Sequence, residues 1–515
     1  MNKGRTPLFR SLMRAMRQAG PAVSNKTRRD FMRMAGAALP AAVVGLSAQE
    51  KAAEGKKITT PVAIVGGGIA GLTAAYRLQK AGVEVHLYEM QDRFGGRMFT
   101  KRDFNKDGMF VELGGELVDS NHKDLIALAA ELGVELQSLK EGEQGVDFYH
   151  FGGKIYTDKD VIAAFEPLSK RFAADAEGLY DDKEEFTAKA KQLDNISLKD
   201  YLKNAGAGAE RWLVNMLETA YVPEYGLDAD QQSALNLIDF INPDTSEGFE
   251  IFGDSDEAMR VKGGNDTLPT AVHRALQGKI KLNSGHRLVR VEEAGSKIKL
   301  TFSTDAKPVI ASYDNVLITI PFTMLRGVDG IYDLKLSDEK KRSIKEMGFG
   351  TNLKVMYGFT EKLWRKPAGG RDFFCNGSVY ADQPYQTIWE TSRGQSGESG
   401  IITNFMGGSP GAQYTPDRVD KFLVEVDAVF PGLKSKFDGN KVMMNWPQIK
   451  FMKGSYSCPA VGQYTWVYGA AAAPELDGHL HFAGEHTSFE SPGYMNGGVE
   501  SGIRAANELL GIEEA

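Results

Sequence analysis

Three glycines and one carboxylate carry the first chemistry in this chain. Gly66, Gly68 and Gly71 stand in GxGxxG spacing within VAIVGGGIAGLTAAYRLQKAGVEVHLYE, and Glu89 follows about twenty residues on. Gly66 permits a tight turn, Gly68 lets the backbone approach a pyrophosphate, and Gly71 lets a helix pack closely on a strand. The helix that follows offers unpaired N–H groups to phosphates, and a carboxylate at the end of the next strand accepts hydrogen bonds from an adenosine ribose. The spacing alone is a weak signal, so the flanks decide. Val62, Ile64 and Val65 form a short apolar strand, and Leu72, Ala75 and Leu78 recur at helical steps. Gly82 stops that helix, and Val83, Val85 and Leu87 alternate towards Glu89. The stretch is a complete βαβ unit built to hold a dinucleotide.

A second group of residues could act on a small molecule. Lys354 stands in the alternating stretch 351–359, TNLKVMYGF, where an inward lysine is uncommon because burying its charge is costly. Gly114 and Gly115 interrupt an alternating stretch at 110–119, which implies a strand whose backbone passes close to something flat. Glu116 and Asp119 follow directly. The two cysteines, Cys375 and Cys458, show no CxxC or metal spacing, and the eight histidines form no HxxxH cluster, so no metal is expected.

The acidic strand end followed by Arg93, Gly95, Gly96 and Arg97 resembles the flavin-containing amine oxidase superfamily, where this second turn wraps the FAD diphosphate. The stretch 481–510, HFAGEHTSFESPGYMNGGVESGIRAANELL, matches the family's other signature: a strand, an AGE turn, a loop and a helix starting near Gly497 that faces the flavin. The resemblance covers residues 62–510 and is most specific at its two ends. It implies that Gly66, Gly68, Gly71, Glu89, Arg97, Gly114, Gly115, Val289, Gly484, Glu485 and Met495 bind FAD. It assigns Lys354 a water at the flavin N5 atom, and sets Tyr456 and Tyr494 on opposite sides of the substrate amine. Paired aromatic faces orient an amine through their quadrupoles. Ser455 falls where the mitochondrial monoamine oxidases carry the cysteine that bonds the flavin, so the FAD is expected to be non-covalent.

Within the family, RFGGRMFT, ELGGELVD and SPGYMNGG look closest to bacterial L-amino-acid oxidases and related monoamine oxidases. One residue departs from that pattern. Many L-amino-acid oxidases place an arginine in a G-A-M-R turn to bind the substrate carboxylate bidentately, and the matching residue here is Leu117. Polyamine oxidases hold a distant ammonium with an acid at the position of Asp119, which makes Glu116 and Asp119 candidate substrate contacts beside Tyr456 and Tyr494. The expected reaction is oxidation of an L-amino acid to the imino acid, then 2-oxo acid and ammonia, with O2 reduced to hydrogen peroxide. A monoamine or polyamine oxidase is the alternative, and a flavin desaturase or dehydrogenase a more distant one.

The chain has 515 residues, 42% apolar and 25% charged, enough for two or three domains. Residues 1–33 hold nine Lys or Arg against the single acid Asp30, leaving 52 bases against 67 acids in the remainder. That acidic surface disfavours nucleic acid and anionic membrane as partners. Arg28 and Arg29 in TRRDFM, with an apolar run at 34–46 too short to span a bilayer, form a twin-arginine export pattern. The expectation is a folded, flavin-loaded protein handed to the twin-arginine machinery and delivered to the periplasm or beyond. The expected fold is α/β: a Rossmann-like FAD-binding domain of glutathione-reductase type with an α+β substrate domain inserted. Signal and linker take 1–57, the FAD-binding domain 58–120, 258–320 and 441–515, and the substrate regions 121–257, mostly helical, and 321–440, a mixed sheet. A homodimer is one assembly the sequence leaves open.

Overall fold

The computed structural model describes residues 58–140, 144–246, 248–415 and 418–512. The twin-arginine pattern and the apolar run after it lie outside the described residues.

Val62–Val65 is buried at every position and forms the middle of a five-stranded sheet. The order is Leu480–Phe482, Asn315–Ile318, Val62–Val65, Val85–Tyr88 and Lys281–Asn283, and every pairing is parallel. Strands covered on both faces need no polar alternation, which is why VAIV and NVLI read as unbroken or nearly unbroken apolar runs. Gly66 turns the chain at φ +116°, where a Cβ would stand 2.4 Å from Thr319 Oγ1. The helix Ile69–Lys80 then returns over the sheet, and Gly71 makes that approach feasible, since a Cβ there would lie 2.0 Å from the Gly66 carbonyl. This helix packs on Met495–Leu510 through a shared core that includes Leu72, Ala75, Val499 and Ala506.

Seven further strands form the sheet that faces this domain, in the order Phe437–Asn445, Leu353–Phe359, Gly400–Met406, Thr387–Glu390, Cys375–Ala381, Val146–Phe151 and Lys154–Tyr156. All pairs are antiparallel except Cys375–Ala381 with Val146–Phe151. Leu353, Val355, Tyr357 and Phe359 point into a core with Phe422 and Val426 of the helix Arg418–Val429, while Met356 packs the other way against Val111, Leu113 and Ile401. Lys354 shares the face of Met356 by the two-residue period of a strand. The lysine is therefore turned towards the dinucleotide-binding side.

Three expectations differ from what is observed. The segment 121–257, read as mostly helical, supplies two strands to the large sheet besides helices such as Asp158–Ala176 and Arg211–Tyr225. Phe437–Asn445 runs across residue 440 and belongs wholly to that sheet. The stretch 110–119 holds only the two-residue strand Val111–Glu112. Its glycines lie instead against the second glycine turn: Gly115 N donates to Arg97 O at 3.2 Å, and a Cβ on Gly114 would stand 1.6 Å from that carbonyl. The strand around Val289 opens a separate antiparallel sheet, Arg287–Ala294, Lys297–Ser303 and Val309–Tyr313. Its alternation of buried Leu288 and Val291 with exposed Arg287 and Arg290 suits a strand wetted on one face.

Candidate active site

A cavity of about 700 Å³ opens at the carboxyl ends of the parallel strands and continues to the face of the large sheet that carries Lys354. Of the residues assigned to the cofactor from the sequence, Gly66, Gly68, Glu89, Arg97, Gly114, Gly115, Val289, Gly484, Glu485 and Met495 line it. Gly71 stands behind, in the helix packing. At Gly68 a Cβ would meet nothing nearer than Gly96 Cα at 3.9 Å, so this wall is left open for a ligand. Two helix N-termini face the space, Ile69–Lys80 and Met495–Leu510. The second begins at Met495 with Tyr494 as its cap, two residues before the expected Gly497.

The carboxylates on this side are preset. Glu89 accepts from Gly67 N at 2.7 Å and Gln91 N at 2.9 Å, and burial raises its carboxyl against those bonds. Arg97 donates through one nitrogen to Ser455 O and Glu485 Oε1, both at 2.8 Å. Burial raises the Glu485 carboxyl, but the Arg97 charge and further bonds outweigh it and the net shift is downward. The open glycine turn, the two helix ends, the Glu89 carboxylate and the Arg97 cation fit the diphosphate and ribose of FAD. No thiol lines the cavity among the described residues. Ser455 Oγ is occupied with Asn352 Oδ1 at 2.6 Å, and Cys458 is buried against Asn236.

At the far side, Lys354 is 7% exposed and donates to Gly114 O at 2.9 Å and Glu116 Oε2 at 2.8 Å. Its ammonium also lies over the Trp389 ring, 5.2 Å from the centroid. Glu116 accepts at its other oxygen from Trp389 Nε1 and Thr391 Oγ1, both at 3.0 Å. Burial alone would raise the Glu116 carboxyl; the Lys354 charge and these bonds reverse it and hold it low. An ammonium has three donors, and two are committed. The third is available to the cavity.

Tyr456 and Tyr494 both line the same cavity. Tyr456 hydroxyl donates to the carbonyls of Pro223 at 3.1 Å and Glu224 at 2.6 Å, and Asn352 Nδ2 also donates to Pro223 O, at 2.5 Å. These are terminal carbonyls of Arg211–Tyr225, which have no partner within the helix once Gly226 ends it in the left-handed conformation. Tyr494 hydroxyl donates to Glu224 Oε1 at 3.2 Å. Both tyrosines are thus fixed by one helix end, and burial pushes both hydroxyls up, keeping them protonated.

Asp119 is not brought into the lining. It is 3% exposed and accepts from Glu257 N at 2.9 Å, while its own N–H donates to His122 Nδ1 at 3.0 Å. The His122 ring meets Tyr494 edge-on at 5.1 Å, so Asp119 braces the wall rather than touching its contents. The positions that do face the cavity and that sequence reasoning passed over are Glu224, Glu257 and Trp389. Pro223 and Gly226 around Glu224 mark a helix end in need of donors, which is a usable signal; Glu257 has none. Among the described residues no group of three or more His, Cys, Asp or Glu is arranged to hold a metal, and no helix is long and apolar enough to cross a membrane.

The arrangement joins a candidate dinucleotide site to an aromatic, acid-lined pocket. The pattern of the flavin containing amine oxidoreductase family matches residues 69–510, and the chain belongs to that family. It is 23% identical over 471 residues to an L-amino-acid oxidase of Demansia vestigiata, covering 87% of this chain and 86% of the relative. To one of Siganus canaliculatus it is 27% identical over 477 residues, covering 87% and 85%. Among solved structures, putrescine oxidase bound to putrescine superposes with a TM-score of 0.73 at 20% identity, covering 88% of this chain and 99% of that one. Cyclohexylamine oxidase from Brevibacterium oxydans IH-35A gives 0.74 at 21%, with the same coverage. The fold is that of these flavin amine oxidases, a Rossmann-type FAD-binding part with a substrate part, and the cofactor is FAD.

Proposed function

We propose that the protein is an FAD-dependent oxidase that converts an L-amino acid to its imino acid, which water hydrolyses to the 2-oxo acid and ammonia, with O2 as acceptor. The observation that carries the oxidase reading is the single cavity running from the GxGxxG turn to Lys354, Tyr456 and Tyr494. The amino-acid reading is supported by relatives of that name that match 87% of the chain. FAD held there would supply the hydride acceptor for the carbon bearing the amine and the route for its electrons to O2. The chain's own residues hold that carbon in place. The tyrosine faces orient a neutral amine, and the deep, protein-walled pocket limits water around it. Lys354 offers its remaining N–H to a water or a carbonyl oxygen.

A second reading, oxidation of an amine without a carboxylate, is favoured by Leu117. It lines the cavity where the resembled amino-acid oxidases carry their carboxylate-binding arginine. Peroxide release from each L-amino acid, its D-enantiomer and its decarboxylated amine separates the two. The amino acid is expected to win in at least one pair with the D-form inert. If every amine outpaces its parent amino acid, the first reading falls. We also propose twin-arginine export to the periplasm, on the strength of Arg28, Arg29 and the apolar run after them.

A further inference from the structure

We propose that Asn265 is a positioning residue for Lys354, holding through its side-chain amide the turn at 114–116 that supplies both of the lysine's hydrogen-bond acceptors among the described residues. This rests on the oxidase reading above and adds to it a residue that lies outside the cavity lining.

The loop between the strand Met259–Val261 and the helix Thr267–Leu276 is turned by Gly263 and Gly264, at φ +78° and +112°, and delivers Asn265 fully buried behind the cavity wall. Both of its amide hydrogens are committed. Nδ2 donates to Gly115 O and Glu116 O, both at 2.8 Å, while Oδ1 accepts from Val261 N at 2.8 Å. A lone donor on one side and two carbonyls on the other leave the amide a single orientation. The backbone N–H of Asn265 donates to Glu112 Oε1 at 2.7 Å, and the other oxygen of that carboxylate takes the Thr100 hydroxyl at 2.8 Å, so the loop itself is tied down.

The turn needs such a restraint. Gly114 and Gly115 are held to glycine by close approach, since a Cβ would stand 1.6 Å from Arg97 O at the first and 2.6 Å from Met495 Cγ at the second. Two successive residues without side chains leave the backbone unusually free. Hydrogen bonds have to fix it instead: Gly115 N donates to Arg97 O, and the Asn265 amide takes the carbonyls of Gly115 and Glu116. That leaves Gly114 O and the Glu116 carboxylate to receive Lys354, at 2.9 and 2.8 Å. Both acceptors stand on a segment clamped from behind, and their position sets where the third N–H of the ammonium points in the cavity. Releasing the clamp re-aims that proton without removing the charge.

The test is a double-variant cycle in FAD-loaded protein, with Asn265→Ala, the milder Asn265→Ser, and Lys354→Met. Flavin content is read by absorbance, and reduction by anaerobic mixing with each L-amino acid and its decarboxylated amine. Reoxidation is read by mixing photoreduced protein with O2, which needs no substrate. With flavin retained, Asn265→Ala is expected to slow the half-reaction that Lys354→Met slows by about 10-fold or more, and Asn265→Ser by less, since a misplacement of about 1 Å can cost about 100-fold. In the Lys354→Met background no ammonium remains to aim, and the same changes are expected to alter that rate by no more than about twofold. Urea midpoints of the same proteins are expected to be non-additive too, because amide and lysine share the 114–116 segment. A residue that only stabilised the fold would lower the midpoint and leave the half-reaction alone. Asn265 variants with full flavin and a wild-type half-reaction, rate effects that multiply across the cycle, or additive midpoints overturn the proposal. So do flavin lost from both Asn265 variants and a Lys354→Met protein with both half-reactions intact. If no amino acid or amine reduces the wild-type flavin, the oxidase reading falls, and the reoxidation cycle still decides the role of Asn265.

Discussion

Lys354 and Glu116 form an ion pair 2.8 Å long, with side chains 9% and 4% exposed. At an effective dielectric constant of about 20, two unit charges at that distance attract by about 6 kcal/mol, much of which offsets lost hydration. Removing one partner strands the other, so Lys354→Met is expected to cost about 3–5 kcal/mol. Glu116 would keep Trp389 and Thr391 as donors, but without the ammonium burial becomes the dominant influence and its carboxyl rises. In the wild type this carboxyl is held below its ordinary 4.5. The pair's contribution is therefore present above that value and is lost as pH falls through the lower, folded one. Glu116→Gln in the Lys354→Met background removes both charges and is expected to recover most of the loss, because a neutral pair has little desolvation to repay. Urea unfolding of the flavin-loaded single and double variants at pH 8 measures the coupling. Stopped-flow reduction and reoxidation, with flavin content alongside, measures the functional side: Lys354→Met should retain FAD and slow one half-reaction, since the diphosphate site lies elsewhere. If Lys354→Met proves no less stable than the double variant, the pair is not coupled. If both half-reactions keep their wild-type rates, Lys354 has no part in the chemistry.

Gly68→Val should fold but purify without flavin, because the space at Gly68 opens to the cavity; full flavin occupancy, measured by absorbance, would contradict the assigned cradle. Wild-type protein should release all its FAD to the supernatant on acid precipitation, and flavin retained in the pellet would show a covalent bond that no cavity-lining thiol accounts for. Replacing Arg28 and Arg29 by Lys should strand folded, flavin-loaded protein in the cytoplasm, and unchanged periplasmic activity on cell fractionation would remove the export proposal.

What the sequence determined by itself is the dinucleotide half. Gly66, Gly68, Gly71 and Glu89 form a local unit whose strand, turn and helix are contiguous, so short-range spacing specifies both the fold and the ligand surface. Lys354 was legible for a related reason: a charge in an apolar alternation has to be paid attention by some partner, and the strand period fixes its face. Its partner was not. Glu116 reaches it across 238 residues, Trp389 arrives from another strand again and Thr391 from the turn that follows it. Asp119 and Glu116 sit three apart in a glycine-rich stretch and looked alike as carboxylates, yet one braces His122 and Glu257 while the other faces the cavity. Nothing local separates them, because the direction of a side chain in an irregular loop is set by long-range backbone bonds such as Gly115 to Arg97 and Val118 to Met259. Glu224 and Glu257 come from a helix end and a strained loop read as featureless, and only tertiary packing turns both towards one space. Local spacing could encode the cofactor turn because its parts are neighbours in the chain; the substrate pocket is assembled from segments hundreds of residues apart, and its charge is decided by the fold.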